Sequence, residues 1–321
     1  VLAPAAFAVR PGTEQVALTG AEPGTEVRLL RGDVTVATGR VDDLGSLLFR
    51  ELDPGDGYVL RTDRETTDPF AVADPLDPPD RAALADQPSL PAGGFGYIVT
   101  RDGTTLSANV VLPGPAEDGP YPTVVEYSGY APSNPDAAQL AEVYTALGFA
   151  YVGVNVRGTG CSGGSFRSFE AVQSLDGYDV IEAIAAQPWV RGGRVGMVGI
   201  SYPGISQLFV AATQPPSLSA IAPLSVIADV YRSTLYPGGI LNTGFAVPWG
   251  ETRGRDAEPY GQEWTRARAE AGDDRCADNQ ALRLQNPDPL AEIEAARYVV
   301  PETADAVAPA TFVDRIEVPV F

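Results

Sequence analysis

Gly199-Ile200-Ser201-Tyr202-Pro203-Gly204 is the stretch that decides how this sequence is read. Arg194–Val198 before it is a short apolar run of strand type, and Ile205–Ala212 after it has helical character. A serine on a sharp turn between strand and helix is a nucleophile elbow. Glycines flank it because the backbone there passes too close to itself for larger side chains. Such a turn presents Ser201 Oγ at the carboxyl end of the strand and leaves the Tyr202 N–H free to donate to an oxyanion. The spacing departs from the five-residue Gly-x-Ser-x-Gly form, with Pro203 fifth and Gly204 sixth. Its place between a strand and a helix is what gives the pattern meaning.

Upstream of the elbow, Tyr97–Thr100 and Thr104–Leu106 flank Asp102-Gly103 as a hairpin whose second arm extends through Asn109–Leu112. Thr123–Tyr127 reads as a buried strand, Ala137–Leu147 as a helix, Ala150–Val156 as a strand and Leu175–Gln187 as a helix. Leu218–Leu224, after the elbow helix, is the next core strand. Strands alternating with helices of about a dozen residues predict an α/β, mostly parallel, doubly wound sheet of the α/β-hydrolase type. Residues 230–312 break this rhythm with helical stretches at 261–271 and 289–298 and aromatics at Trp249, Tyr260 and Trp264. They are expected to form an inserted helical cap that shapes a substrate pocket. Residues 1–72 carry short strands such as Val16–Thr19, Glu26–Leu30, Val34–Ala37 and Tyr58–Arg61 between turn clusters, which predicts a small β-sandwich. Residues 73–95 read as a linker, 96–229 as the first part of the hydrolase core, and 313–321 as the start of a returning core strand.

Of the 321 residues none is histidine or lysine, so all 22 basic residues are arginine. Serine needs a general base to become a nucleophile, and arginine stays protonated. Either Ser201 is not catalytic, or its base lies on other polypeptide. In an α/β-hydrolase the acid and histidine follow the serine in the chain. They are therefore expected beyond Phe321, on the remainder of the same polypeptide, and Arg315–Phe321 reads as a strand cut in mid-element.

The net charge of −20 argues against nucleic acid and anionic membrane surfaces as partners. No apolar stretch is long enough to span a bilayer. Small residues at Ala3–Ala8 fit the start of a mature exported chain, secreted or in the cell envelope. Cys161 and Cys276 either form one disulfide or are two separate core residues. Without a CxxC pair or any histidine, no metal or other cofactor is expected. The glycine-rich Arg157–Gly164 lacks a P-loop ending and reads as a structural loop at the rim of the sheet, with Arg157 paired to Asp176 or Asp179. A second oxyanion donor is expected from the loop after the third strand, Tyr127-Ser128-Gly129-Tyr130-Ala131-Pro132. On position alone, Tyr130 and Tyr127 compete for that role.

From Tyr97 onward the sequence resembles the cocaine-esterase-like branch of the X-prolyl dipeptidyl peptidase superfamily. The matching pieces are Thr100-Arg101-Asp102-Gly103-Thr104, Arg157-Gly158-x-Gly160-x-Ser162-x-Gly164 and Gln187-Pro188-Trp189. They continue through Gly196-Met197-x-Gly199-x-Ser201-Tyr202-x-Gly204 and Ala228-Asp229-x-Tyr231-Arg232. The resemblance accounts for the six-residue elbow, which reads Gly-x-Ser-Tyr-x-Gly in that family. It implies Ser201 as nucleophile, with the Tyr130 hydroxyl and Tyr202 N–H as oxyanion hole. It also implies a helical cap after the sixth strand and a C-terminal jelly-roll domain. The expected activity is hydrolysis of a small-molecule ester or related acyl substrate through an acyl-enzyme on Ser201. X-prolyl dipeptidyl peptidase or α-amino-acid ester hydrolase activity is the alternative, and a non-catalytic binding protein on the same scaffold is a reading of another class.

Overall fold

Apolar runs such as Ala150-Tyr151-Val152, each almost fully buried, can be stable only where both faces of a strand are covered. In the computed structural model, which describes residues 2–137 and 139–321, they lie inside a six-stranded sheet. Its strands are β1 (Gly94–Val99), β2 (Thr105–Val111), β3 (Tyr121–Ser128), β4 (Ala150–Asn155), β5 (Val190–Ile200) and β6 (Leu218–Leu224). The spatial order is β1-β2-β4-β3-β5-β6. The hairpin β1–β2 and the β2–β4 pair are antiparallel, and the pairs from β4 to β6 are parallel. Helices α1 (Gln139–Ala146), α2 (Ala171–Ala185) and α3 (Tyr202–Ala211) connect the parallel strands. The helix expected over 137–147 includes Ala138, which lies outside the described residues; α2 starts four residues before the expected Leu175.

The strand expected over 313–321 is shorter than its apolar pattern suggests. Phe312 is buried against Phe209 of α3, with ring centroids 4.8 Å apart, and the chain must turn from there back to the sheet. Val313–Arg315 makes that 3₁₀ turn. Pairing parallel to β6 begins only where the Ile221 N–H donates to Pro319 (3.0 Å) and the Phe321 N–H donates to Ile221 (3.1 Å).

Two small sheets make up the N-terminal part. One has three strands, Ala8–Pro11, Val16–Thr19 and Leu47–Phe49; the other centres on Glu26–Arg31 and Gly55–Arg61. Val16, Leu18, Val27, Leu29, Phe49 and Leu60 fill the space between them. The following segment is more ordered than a linker. Asp80 caps a short helix at Arg81–Ala85 by accepting the N–H groups of Ala82 and Ala83. Leu84 and Leu90 are buried, so two apolar residues in a Pro- and Asp-rich stretch suffice to pack it.

The elements meet along one edge of α2. Asp176, Asp179 and Glu182 recur every three residues on this helix, all are buried, and each takes an arginine from a different segment. Arg157 holds Asp176 through Nε and Nη2, both at 2.6 Å, and Arg101 holds Asp179 in the same forked way. Arg81 pairs with Glu182 at 2.9 Å. The choice left open for Arg157 thus resolves to Asp176, with Asp102 of the hairpin turn as a further partner at 3.0 Å. Burial pushes the Asp102 carboxyl up, but Arg157 and the Thr104 and Thr100 hydrogen bonds hold it below the usual range.

Nor does the Arg157–Gly164 loop lie at a rim. Arg157 through Ser165 are all buried, because two other parts of the chain, the sandwich and the cap, close over them. Arg50 of the sandwich reaches Ser165 (2.6 Å) and Glu170. The cap, with α4 (Ala246–Ala257), α5 (Glu263–Glu270), α6 (Asp274–Asp278) and α7 (Pro289–Ala295), supplies the rest. Arg283 donates to the carbonyls of Gly160 (2.7 Å) and Ser162 (2.8 Å), Asn279 donates to that of Cys161 (2.7 Å), and Cys161 is disulfide-bonded to Cys276.

Replacing Arg157 by Leu would leave two buried carboxylates without their cation. We expect a loss of about 3–5 kcal/mol of stability, read as a lowered urea midpoint. Arg64→Ala, which removes an exposed 3.7 Å contact with Asp63, should leave the midpoint unchanged within error.

Candidate active site

The elbow forms where β5 ends. Ser201 has φ 68° and ψ −125°, a region that non-glycine residues avoid. Two glycines make room for it. A Cβ on Gly199 would stand 2.6 Å from Pro203 Cβ, and one on Gly204 would stand 2.3 Å from the Leu224 carbonyl oxygen. That carbonyl, at the end of β6, also accepts the Ser201 N–H at 3.0 Å, so the neighbouring strand fixes the turn from outside. The Ser201 carbonyl accepts the N–H groups of Gly204 and Ile205, both at 2.8 Å. The Tyr202 N–H, first of α3, has no acceptor within its own helix.

The two tyrosines that compete in the sequence are separated by the strand they follow. Tyr127 lies within β3, is fully buried, and donates its hydroxyl to the Gln173 carbonyl at 3.0 Å on the α2 side. Tyr130 lies past the strand end, and its hydroxyl is 3.2 Å from Ser201 Oγ. Of the three expected site residues, then, Ser201 and Tyr130 meet directly through side chains. Tyr202 turns its ring away from the serine. Its hydroxyl donates to Gln173 Oε1 (2.9 Å), and its ring stacks on Phe169 with centroids 4.4 Å apart. Burial keeps this phenol above the usual tyrosine range.

Beside Tyr130 opens a cleft of about 430 Å³ between the core and α4. Phe245, Pro248, Trp249, Thr252 and Arg253 line it from the cap. Only Trp249 stands out in the sequence; Arg253 belongs to no motif, and nothing local marks it. Among the described residues no group of histidine, cysteine or carboxylate side chains is arranged to hold a metal ion.

This chain belongs to the X-Pro dipeptidyl-peptidase (S15) family, whose model matches residues 102–321. Cocaine esterase from Rhodococcus sp. is 31% identical over 157 residues, which is 47% of this chain and 27% of that protein. A Mycobacterium bovis protein named as a candidate serine esterase is 36% identical over 108 residues, 33% of this chain and 17% of that protein. The matched part is thus under a third of either relative. A CocE/NonD family hydrolase from Staphylococcus aureus superposes with a TM-score of 0.54 at 21% identity, over 74% of this chain and 44% of that one. An alpha-amino acid ester hydrolase gives 0.53 at 18% identity, over 77% and 45%. Both likenesses are of fold.

Gly204→Ala should force the Leu224 carbonyl away from the elbow, at a cost of roughly 1–3 kcal/mol in chemical unfolding. Gly254→Ala in α4, whose new Cβ would meet nothing nearer than Pro289 Cδ at 3.7 Å, should instead be neutral or slightly stabilising.

Proposed function

We propose that this chain carries the nucleophile and oxyanion hole of a serine hydrolase acting on carboxylic esters or related acyl bonds. One observation supports this above others: Ser201 Oγ, on a strained elbow, lies 3.2 Å from the Tyr130 hydroxyl beside a cleft. In this reading Ser201 attacks the substrate carbonyl. The Tyr130 hydroxyl and the Tyr202 N–H donate to the oxygen that becomes negative; the intermediate then collapses, breaking the bond to the leaving alcohol, which departs with a proton, and leaving an acyl-serine. Water then hydrolyses it by the reverse route. The serine proton must pass to a base, and this sequence holds neither histidine nor lysine. The base and its acid partner are therefore assigned to polypeptide outside these residues. Ile200 and Leu224, at the ends of β5 and β6, are each 55% exposed and leave room beside Ser201 for them. The Cys161–Cys276 disulfide supports a secreted or cell-envelope location.

The cleft also bears on substrate class. An X-prolyl peptide or α-amino-acid ester brings an ammonium group that needs a carboxylate. Among the described residues the cleft lining holds one charged side chain, Arg253, and it has the wrong sign. Esters without an ammonium group fit better.

Fluorophosphonate labelling of the full-length protein tests the assignment. Label should sit on Ser201 and be lost in Ser201→Ala; label surviving that change places the nucleophile elsewhere, and no label at all favours a binding protein on this scaffold. Tyr130→Phe should lower kcat by roughly 10²–10³ with KM little changed, whereas Tyr127→Phe should be far milder.

A further inference from the structure

The oxyanion tyrosine has two neighbours from the cap that its own strand does not supply. Gln262 stands at the N-cap position of α5, where a side chain ordinarily accepts from the first turn of its helix. Here it makes no such bond. Instead Nε2 reaches into the core and donates to the carbonyls of Tyr130 (2.6 Å) and Gly129 (3.2 Å). The Trp264 indole donates to Gln262 Oε1 at 3.1 Å and so fixes which way the amide faces. Asn155, at the end of β4, donates to the same Tyr130 carbonyl at 2.9 Å. The main chain of Tyr130 is thus held by two amides, one from the core and one from the cap.

Its ring is covered from the cap as well. The Arg253 guanidinium carbon lies 4.6 Å from the Tyr130 ring centroid. Arg253 Nη2 pairs with Asp256 at 2.9 Å, while Nε and Nη1 are buried with no hydrogen-bond partner among the described residues. A buried cation with two free donors over an aromatic face is held there by the ring's quadrupole. Tyr130 also borders the open cleft, so without this cover its ring has space to swing off Ser201.

We propose that Gln262 and Arg253 are positioning residues through which the cap holds the Tyr130 hydroxyl on Ser201. This rests on the oxyanion role given to Tyr130 above. A side chain at a helix start that makes no bond to its own first turn and instead grips a loop of another layer is placed for that loop. The same grip makes the oxyanion hole depend on a seated cap.

The test is a double-mutant cycle on the full-length protein, with 4-nitrophenyl acetate as substrate. Gln262→Ala and Arg253→Met should each lower kcat by roughly tenfold, with KM within about twofold of wild type. In a Tyr130→Phe background either change should cost less than about twofold further, because the hydroxyl being positioned is already gone. Arg253→Lys should recover part of the lost kcat, since an ammonium keeps the charge over the ring. Where Gln262→Ala fails to fold, the two Arg253 variants carry the cycle. Equal losses in both backgrounds, or no loss in either single variant, overturn the positioning role. A Tyr130→Phe protein as active as wild type overturns the oxyanion assignment itself, and this inference with it.

Discussion

The Arg157 guanidinium is the interaction on which the rest of the molecule depends. It is fully enclosed, and it joins three segments that no strand ladder joins: the loop after β4, the β1–β2 turn through Asp102, and α2 through Asp176. A charge buried this way is stable only with opposite charges in good geometry, and two forked bonds at 2.6 Å provide it. With Arg157 seated, the eight residues that follow become a fixed inner surface. The Ser162 hydroxyl accepts the Ser107 N–H, the Asn155 amide is directed to Tyr130, and the loop carbonyls face the cap. The Tyr130 side of the proposed site is thus assembled against a loop held by charge, while the Ser201 side is assembled on a strand end held by backbone bonds.

Two tyrosines three residues apart, on the third strand and its loop, show how one side-chain type takes opposite tasks. Tyr127 and Tyr202 both spend their hydroxyls on Gln173, one on its carbonyl and one on its amide oxygen, and so anchor β3 and α3 to α2. Tyr130 is left with its hydroxyl facing the serine. What separates the roles is depth. The Tyr202 phenol, packed on Phe166 and Phe169, must find a partner inside, whereas that of Tyr130, at the strand end, has the Ser201 hydroxyl beside it.

The elbow, the core strands and the sandwich were legible because each is written in consecutive residues: an apolar alternation, glycines two places before and three places after a crowded serine, a turn cluster between short strands. Arg157 was legible only as a charge needing a partner, and proximity in the chain could not choose between Asp176 and Asp179, which differ by less than one helical turn. Asp102, Gln262 and Arg253 were out of reach altogether. Each acts on a residue between 55 and 132 positions away, Asp102 through the folded core and the other two through contacts that exist only once the cap has closed on it. The final strand was over-read because its apolar pattern says nothing of the turn that Phe312 imposes. The linker was under-read because Leu84 and Leu90 are too few to make a period.

The disulfide between Cys161 and Cys276 has a topological consequence. It closes a ring across 115 residues, and within that ring lie α2, β5, the elbow, α3, β6 and the cap helices α4 and α5. Ser201 is therefore inside the covalent loop, and Tyr130 is outside it. The unfolded chain loses freedom only in the part that builds the serine's surroundings, by an amount that chain-entropy arguments put near 4.7 kcal/mol for a loop of about 100 residues. In the oxidised chain Ser201 and Tyr202 thus start folding on a tethered segment, and Tyr130 on a free one.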